Sequence, residues 1–181
     1  MTADEDAIDR AAGEWAVACP RLDASPSQVL ARIQRLGHLI EDAQNRRLRR
    51  RPGMVVANLG DFDVLRALRR SGPPYALTPT ELRRGMLVSA AGLTGRLKRL
   101  EDEGWITRAA SPADGRSSLV RLTPEGVADL DRDLDGHFAF ESDLLKSLGA
   151  EDRETLAAGL RELVVDLESR TPEARRAARG E

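Results

Sequence analysis

Aromatic residues are scarce in this 181-residue chain, at 3%: three Phe, two Trp and one Tyr. A core built on ring stacking is thereby excluded. The aliphatic majority of the 41% hydrophobic residues must supply it. Cysteine occurs once, at Cys19, so no intramolecular disulfide can form. There are two histidines, His38 and His137, and neither has metal-ligand spacing, so no metal centre is expected. No apolar run approaches the roughly 20 residues that cross a bilayer. The acidic start, MTADEDAID, lacks the apolar stretch of a secretory signal. A cytoplasmic chain with no membrane partner and no cofactor is the expectation. No glycine-rich phosphate loop follows a strand and no nucleophile elbow is visible, so the chain does not read as an enzyme.

What is abundant is charge, at 32% of residues, and it is segregated although the formal net charge is only -2. Between Arg83 and Arg121, eight Lys/Arg face four acids. Between Glu125 and Glu168, thirteen acids face four bases. A basic middle between acidic flanks suits a protein that offers one surface to DNA.

Helical punctuation organises the chain. Residues 3–18 form a first helix, stopped by Pro20, with Cys19 disfavoured for helix by that proline. Ser25-Pro26 reads as a cap followed by proline at the first helical position. Val29, Ile33, Leu36 and Ile40 then recur at helical spacing, giving a helix from about 26 to 50 that ends in RRLRRRPG. A helix over about 61–70 carries Phe62, Leu65 and Leu68 on one face. Thr78, Pro79 and Glu81 form a capping box that opens a short helix ending near Gly85-Met86. Ser89 opens another over about 90–103, closed by Gly104. The period then changes. Trp105-Ile106-Thr107 and Ser118–Thr123 suit two strands around the turn SPADGRS. Thr123-Pro124-Glu125 begins a long helix ended by Gly149. A last helix over about 151–169 carries Leu156, Leu160, Leu163 and Leu167 as a coiled-coil-like seam.

Two short helices joined by a turn and followed by a hairpin define a winged helix-turn-helix. The fold class is mainly α with a small β-hairpin. The second helix of such a pair fits the major groove. On it, Leu93, Leu97 and Leu100 form the inward stripe. The candidate DNA surface is Thr78, Ser89, Gly92, Thr94, Gly95, Lys98 and Arg99, with Arg116 and Ser117 on the wing. Small residues admit close backbone approach, hydroxyls bond phosphates or base edges, and the cations hold phosphates. Arg96 is the exception. It lies on or beside the buried stripe, where a charge needs a partner, and Asp63 is the candidate.

The run LTPTELRRGMLVSAAGLTGRLKRLEDEGWITRAASPADGRSSLVRLTPEGVADL resembles the core of a MarR-type regulator, with Asp114-Gly115-Arg116 and LVRLTPEG as the wing signature. The resemblance covers about residues 27–168. It implies a homodimer interlocked through its N- and C-terminal helices and a pseudo-palindromic duplex DNA operator. It also implies repression relieved by a small ligand. The domain reading follows: 1–50 for ligand pocket and dimerisation, 58–123 for the DNA-binding domain, 124–170 for dimerisation, and 171–181 as a frayed tail. Trp15, the FDVL run with Asp63, and Arg96 are similar to the urate-responsive HucR/PecS branch. There, residues at matching positions line the ligand pocket. Trp15 offers a flat apolar face to a purine and Arg96 a planar fork to an anion. Ser71 stands where that branch often carries asparagine, and Arg108 matches another arginine implicated there. Two other readings remain open. Cys19 suggests an oxidant sensor like those of the OhrR branch, and a winged helix can serve protein contacts alone.

Overall fold

The computed structural model describes residues 5–49, 56, 58–84, 86, 90–110 and 118–170. The elements run α1 (Ala7–Ala18), α2 (Ser25–Arg49), α3 (Leu59–Arg70), β1 (Ala76–Leu77), α4 (Pro79–Arg84), α5 (Ala90–Asp102), β2 (Ile106–Ala110), β3 (Ser118–Leu122), α6 (Pro124–Leu144) and α7 (Ala150–Ser169). The chain divides into two compact units, residues 1–132 and 133–181.

In the first unit the predicted hairpin is the outer part of a three-stranded antiparallel sheet of order β1-β3-β2. Ile106 pairs with Leu122 and Arg108 with Val120 across β2 and β3. The added strand, Ala76–Leu77, pairs with Arg121 and Val120. Two residues directly after SGPPY are too short a run to show a period, which is why the sequence reading gave a two-stranded wing.

The core gathers on α3. Phe62, Val64, Leu65 and Leu68 are buried, together with Leu82 of α4, Leu93, Leu97 and Leu100 of α5, and Ile106, Val120 and Leu122 of the sheet. The inward stripe on α5 is therefore as expected. Gly104 closes α5 in a left-handed conformation (φ 79°). The Trp105 N–H reaches back to the Leu100 carbonyl at 2.9 Å, a bond that only a residue without a Cβ penalty at Gly104 allows cheaply.

Both ends of α3 are clamped. At its C-terminal end, the Arg69 guanidinium donates twice to Asp131, at 2.7 and 3.1 Å, and lies 4.8 Å over the Tyr75 ring. At its N-terminal end, Asn45 of α2 accepts the Leu59 N–H at 2.7 Å. The first helix is tied on similarly. Asp6 caps α1 by accepting the Ile8 and Asp9 N–H groups, and Arg32 of α2 bonds to both Asp6 and Asp9.

In the second unit, α6 ends at Leu144 rather than at Gly149, and Gly149 instead serves as the N-cap of α7. Arg153 accounts for the difference. It donates to the carbonyls of Leu148 (3.0 Å) and Leu145 (2.8 Å), satisfying the intervening turn. None of the residues of α7 is buried, and of the leucine seam Leu156, Leu160 and Leu167 are exposed and Leu163 half-buried. His137 is buried, with Nε2 2.8 Å from Glu141 Oε1. Among the described residues, no helix is long and apolar enough to cross a membrane.

Gly126, in the first turn of α6, sits directly against the sheet side of Trp105. A Cβ there would lie 2.5 Å from the Trp105 carbonyl oxygen, which is backbone and cannot swing away. Gly126→Ala is expected to cost about 1–3 kcal/mol of overpacking strain, measurable as a lower denaturant midpoint with an unchanged slope.

Candidate nucleic-acid interface

The interface begins at α4. Glu81 Oε2 accepts the Thr78 N–H at 2.7 Å and its hydroxyl at 2.8 Å, while the Glu81 N–H returns to Thr78 Oγ1 at 3.3 Å. These bonds hold the Glu81 carboxyl below the usual carboxylate range, the Thr78 N–H contributing most. The predicted capping box is present, and it engages the Thr78 hydroxyl in holding the helix start.

On α5 the buried leucines fix which residues face out. Thr94, Gly95 and Lys98 are exposed, and a Cβ at Gly95 would meet only open space. Gly92 is half-buried. Ser89, Arg116 and Ser117 lie outside the described residues. Arg99 departs from expectation. Read as a DNA-facing cation, it instead turns back to α3, where Nε and Nη2 donate to the two carboxylate oxygens of Asp61 at 2.7 and 2.8 Å. The Asp61 side chain is 3% exposed and that of Arg99 49%. Bidentate geometry around a buried charge outweighs solvation of the guanidinium at the surface.

Asp61 has a second partner. Asn58, the N-cap of α3, accepts the Asp61 N–H at 2.9 Å and donates its amide to Asp61 Oδ2 at 2.8 Å. A carboxylate in the first turn also meets the positive end of the helix. The Asp61 bonds and charge in turn keep Arg99 more firmly protonated than usual. Nearby Glu103 is pushed above its usual range, by burial first and by the Asp61 charge second.

The expected Asp63–Arg96 pair is replaced by this one. Asp63 lies 3.7 Å from Arg66 on its own helix. Among the described residues no carboxylate pairs with Arg96. Its guanidinium reaches the first turn of α3, where a Cβ on Gly60 would overlap Nη1. The error was one of helical phase. Arg99, three residues on, is the arginine that the turn of α5 aims at the α3 carboxylate, and the carboxylate in reach is Asp61, not Asp63. Nothing in a single sequence links positions 38 residues apart. The local signal was Asn58 standing three residues before Asp61, a cap pattern that the reading from Asp61 onward passed over.

The other expected ligand residues are dispersed. Ser71 is the C-cap of α3, its hydroxyl donating to the Leu68 carbonyl at 2.7 Å. Eight residues of helix put it about 12 Å along the axis from Asp63, so it does not join the Arg96 site. Arg108 on β2 is bound to Glu101 at the end of α5, with Nε donating at 2.7 Å. Trp15 stands on α1, 55% exposed.

A helix-turn-helix whose second helix shows small and cationic residues, braced by a three-stranded wing, defines a winged-helix DNA-binding protein. Residues 58–117 match the MarR family. The chain is 32% identical over 145 residues to the HTH-type transcriptional regulator PecS of Dickeya dadantii, covering 80% of this chain and 85% of that one. It belongs to the MarR family of DNA-binding transcriptional regulators. Among solved structures it is similar to Sco3205 of Streptomyces coelicolor in complex with DNA (26% identity, TM-score 0.71, 84% of this chain and 96% of that one). It is also similar to Bordetella bronchiseptica BpsR, whose DNA binding is regulated by 6-hydroxynicotinic acid (25% identity, TM-score 0.58, 72% and 98%). These relatives are regulators, not enzymes.

Two outcomes are expected from the Asp61 cluster. Asn58→Ala removes the α3 cap and one Asp61 donor, costing about 1–2 kcal/mol in denaturant unfolding. Because the folded chain holds the Glu103 proton more tightly than the unfolded chain, this group's contribution is fully present at low pH. It is lost as pH rises through the raised folded value. Glu103→Gln is expected to flatten that decline when thermal midpoints are compared between about pH 4 and pH 7.

Proposed function

We propose that this regulator is a homodimeric repressor that binds a pseudo-palindromic operator through α5 and the wing and is released by a small planar anion. Urate or a related purine or organic acid is the ligand class. The single observation that carries the ligand reading is Arg96. Its guanidinium rests on the first turn of α3, itself the positive end of a helix, without a carboxylate partner among the described residues. Asp61 already serves the helix end, so the group left without a counter-charge is the Arg96 guanidinium, and a planar anion supplies it. Asp63 is nearby on α3, and Trp15, exposed on α1, supplies a stacking face in this reading. The control of BpsR by 6-hydroxynicotinic acid, a planar acid, favours the same class of ligand.

The dimer reading draws on the apolar residues that the single chain leaves open. Leu156, Leu160, Val164 and Leu167 of α7 and Leu36, Leu39 and Ile40 of α2 are exposed, and apolar residues clustered on a helix surface suit a protein contact. On the DNA side, Thr94, Gly95 and Lys98 form the outward face, with Ser89, Arg116 and Ser117 as expected contacts beyond the described residues. Arg108 enters the ligand site only on release from Glu101.

A footprint on the chain's own upstream region, repeated with a panel of purines and small acids, tests the reading. Two protected half-sites about one helical turn apart are expected, with protection lost on adding the active compound. Lys98→Ala is expected to weaken binding across sequences and to reduce the salt slope by about 1. Gly60→Ala, whose Cβ would displace the guanidinium end of Arg96, is expected to leave operator affinity intact and abolish the ligand response. Full release of Gly60→Ala by the compound that releases the parent would refute the Arg96 site.

A further inference from the structure

The Asp61–Arg99 pair, its carboxylate buried and its guanidinium half exposed, takes Arg99 from the expected DNA face and gives it to α3. Its strands of support come from three elements. Asn45 of α2 holds the Leu59 N–H, Asn58 caps α3 and donates to Asp61, and Asp61 grips Arg99 of α5 through two parallel bonds. The other inward contacts described on α5 are the aliphatic Leu93, Leu97 and Leu100 and the Arg96 guanidinium, which reaches Gly60 with no carboxylate among the described residues to fix its direction. Aliphatic contacts hold two helices together but are non-directional, so they leave a helix free to roll or slide by small amounts. A bidentate ion pair fixes direction as well as distance. Arg99 adjoins Lys98 and lies within five residues of Thr94 and Gly95, so locking its azimuth locks theirs.

We propose that Asp61 is the positioning residue for operator recognition: by anchoring Arg99 to the capped start of α3, it sets the roll of α5 and with it the aim of Thr94, Gly95 and Lys98. Arg99 therefore serves orientation rather than phosphate binding, and Asn45 makes α2 the upstream end of the same bracket. The inference rests on reading α5 as the DNA-facing helix. It differs from that reading in assigning operator affinity to a buried carboxylate on α3.

The experiment measures operator affinity, its salt dependence and the thermal midpoint for the full-length chain, using the footprinted duplex. Asp61→Asn, Arg99→Lys, their double variant and Lys98→Ala are compared well below their midpoints. Lysine keeps the charge of Arg99 but cannot form the paired bonds. Asp61→Asn and Arg99→Lys are each expected to weaken binding about tenfold or more, within the usual range of coupling between sites. The salt slope should stay unchanged, and the double variant should be no weaker than the worse single one. Lys98→Ala should lower the slope. Tighter binding and a steeper slope for Asp61→Asn, with parental affinity for Arg99→Lys, would mean that Asp61 merely masks a phosphate-binding arginine and overturns the proposal. Parental affinity for both, alongside weakened Lys98→Ala, overturns it as well, since a lowered midpoint alone marks a purely structural pair. If Asp61→Asn does not fold, Arg99→Lys decides alone, because its side chain is half exposed. Lys98→Ala with parental affinity and slope would instead refute the α5 interface itself, and the proposal with it.

Discussion

A carboxylate that is 3% exposed carries the arrangement of the DNA-binding unit. An ionised group removed from water is tolerated only when its lone pairs are filled, and Asp61 fills them with the Arg99 fork and the Asn58 amide. That requirement dictates the neighbourhood. Asn58 must cap the helix, α3 must begin where it does, and α5 must pass with Arg99 turned inward. The aliphatic residues of α3 and α5 then close around a geometry that the polar cluster has already selected. Arg69–Asp131 does the corresponding work at the other end of α3, so the helix is held against both the recognition elements and the start of α6.

The distribution of charge follows from the same economy. The basic residues between Arg83 and Arg121 do not all face outward. Arg99 is drawn to Asp61, Arg108 to Glu101, and Arg96 to the start of α3. Lys98 remains exposed between them, with Thr94 and Gly95 beside it. A basic segment is thus divided between holding the unit together and meeting an anionic partner. Counting its charges does not reveal the division, because side-chain direction on a helix turns by 100° per residue.

Legibility in the sequence tracks the range of the interaction. The order of helices, the Thr78–Glu81 capping box, the Leu93–Leu97–Leu100 stripe and the Gly104 stop depend on residues a few positions apart, and all were readable. The family was readable too, from the run between Leu77 and Leu130. The short strand Ala76–Leu77 was not, because two residues carry no period. The true end of α6 was not, because Arg153 reaches back across the following turn to decide it. The Asp61–Arg99 pair was missed in favour of Asp63–Arg96. Both pairs satisfy the rule that an inward charge needs a partner, and only the three-dimensional phase of α5 against α3 separates them. Ser71 was assigned by position in a related pattern, whereas its hydroxyl is engaged by the Leu68 carbonyl at the far end of α3.

The scarcity of aromatic rings gives the molecule an unplanned optical property. Its two indoles occupy opposite environments: Trp15 stands 55% exposed on α1, and Trp105 is 7% exposed at the root of the wing, against the start of α6. With a single tyrosine in the chain to contribute besides them, emission separates into a component that an aqueous quencher reaches and one that it does not. The outer indole reports on whatever approaches the N-terminal helices. The inner one reports on whether the wing and α6 remain joined. Without any added label, the chain carries one spectroscopic channel for the outer helices and another for the integrity of the DNA-binding unit.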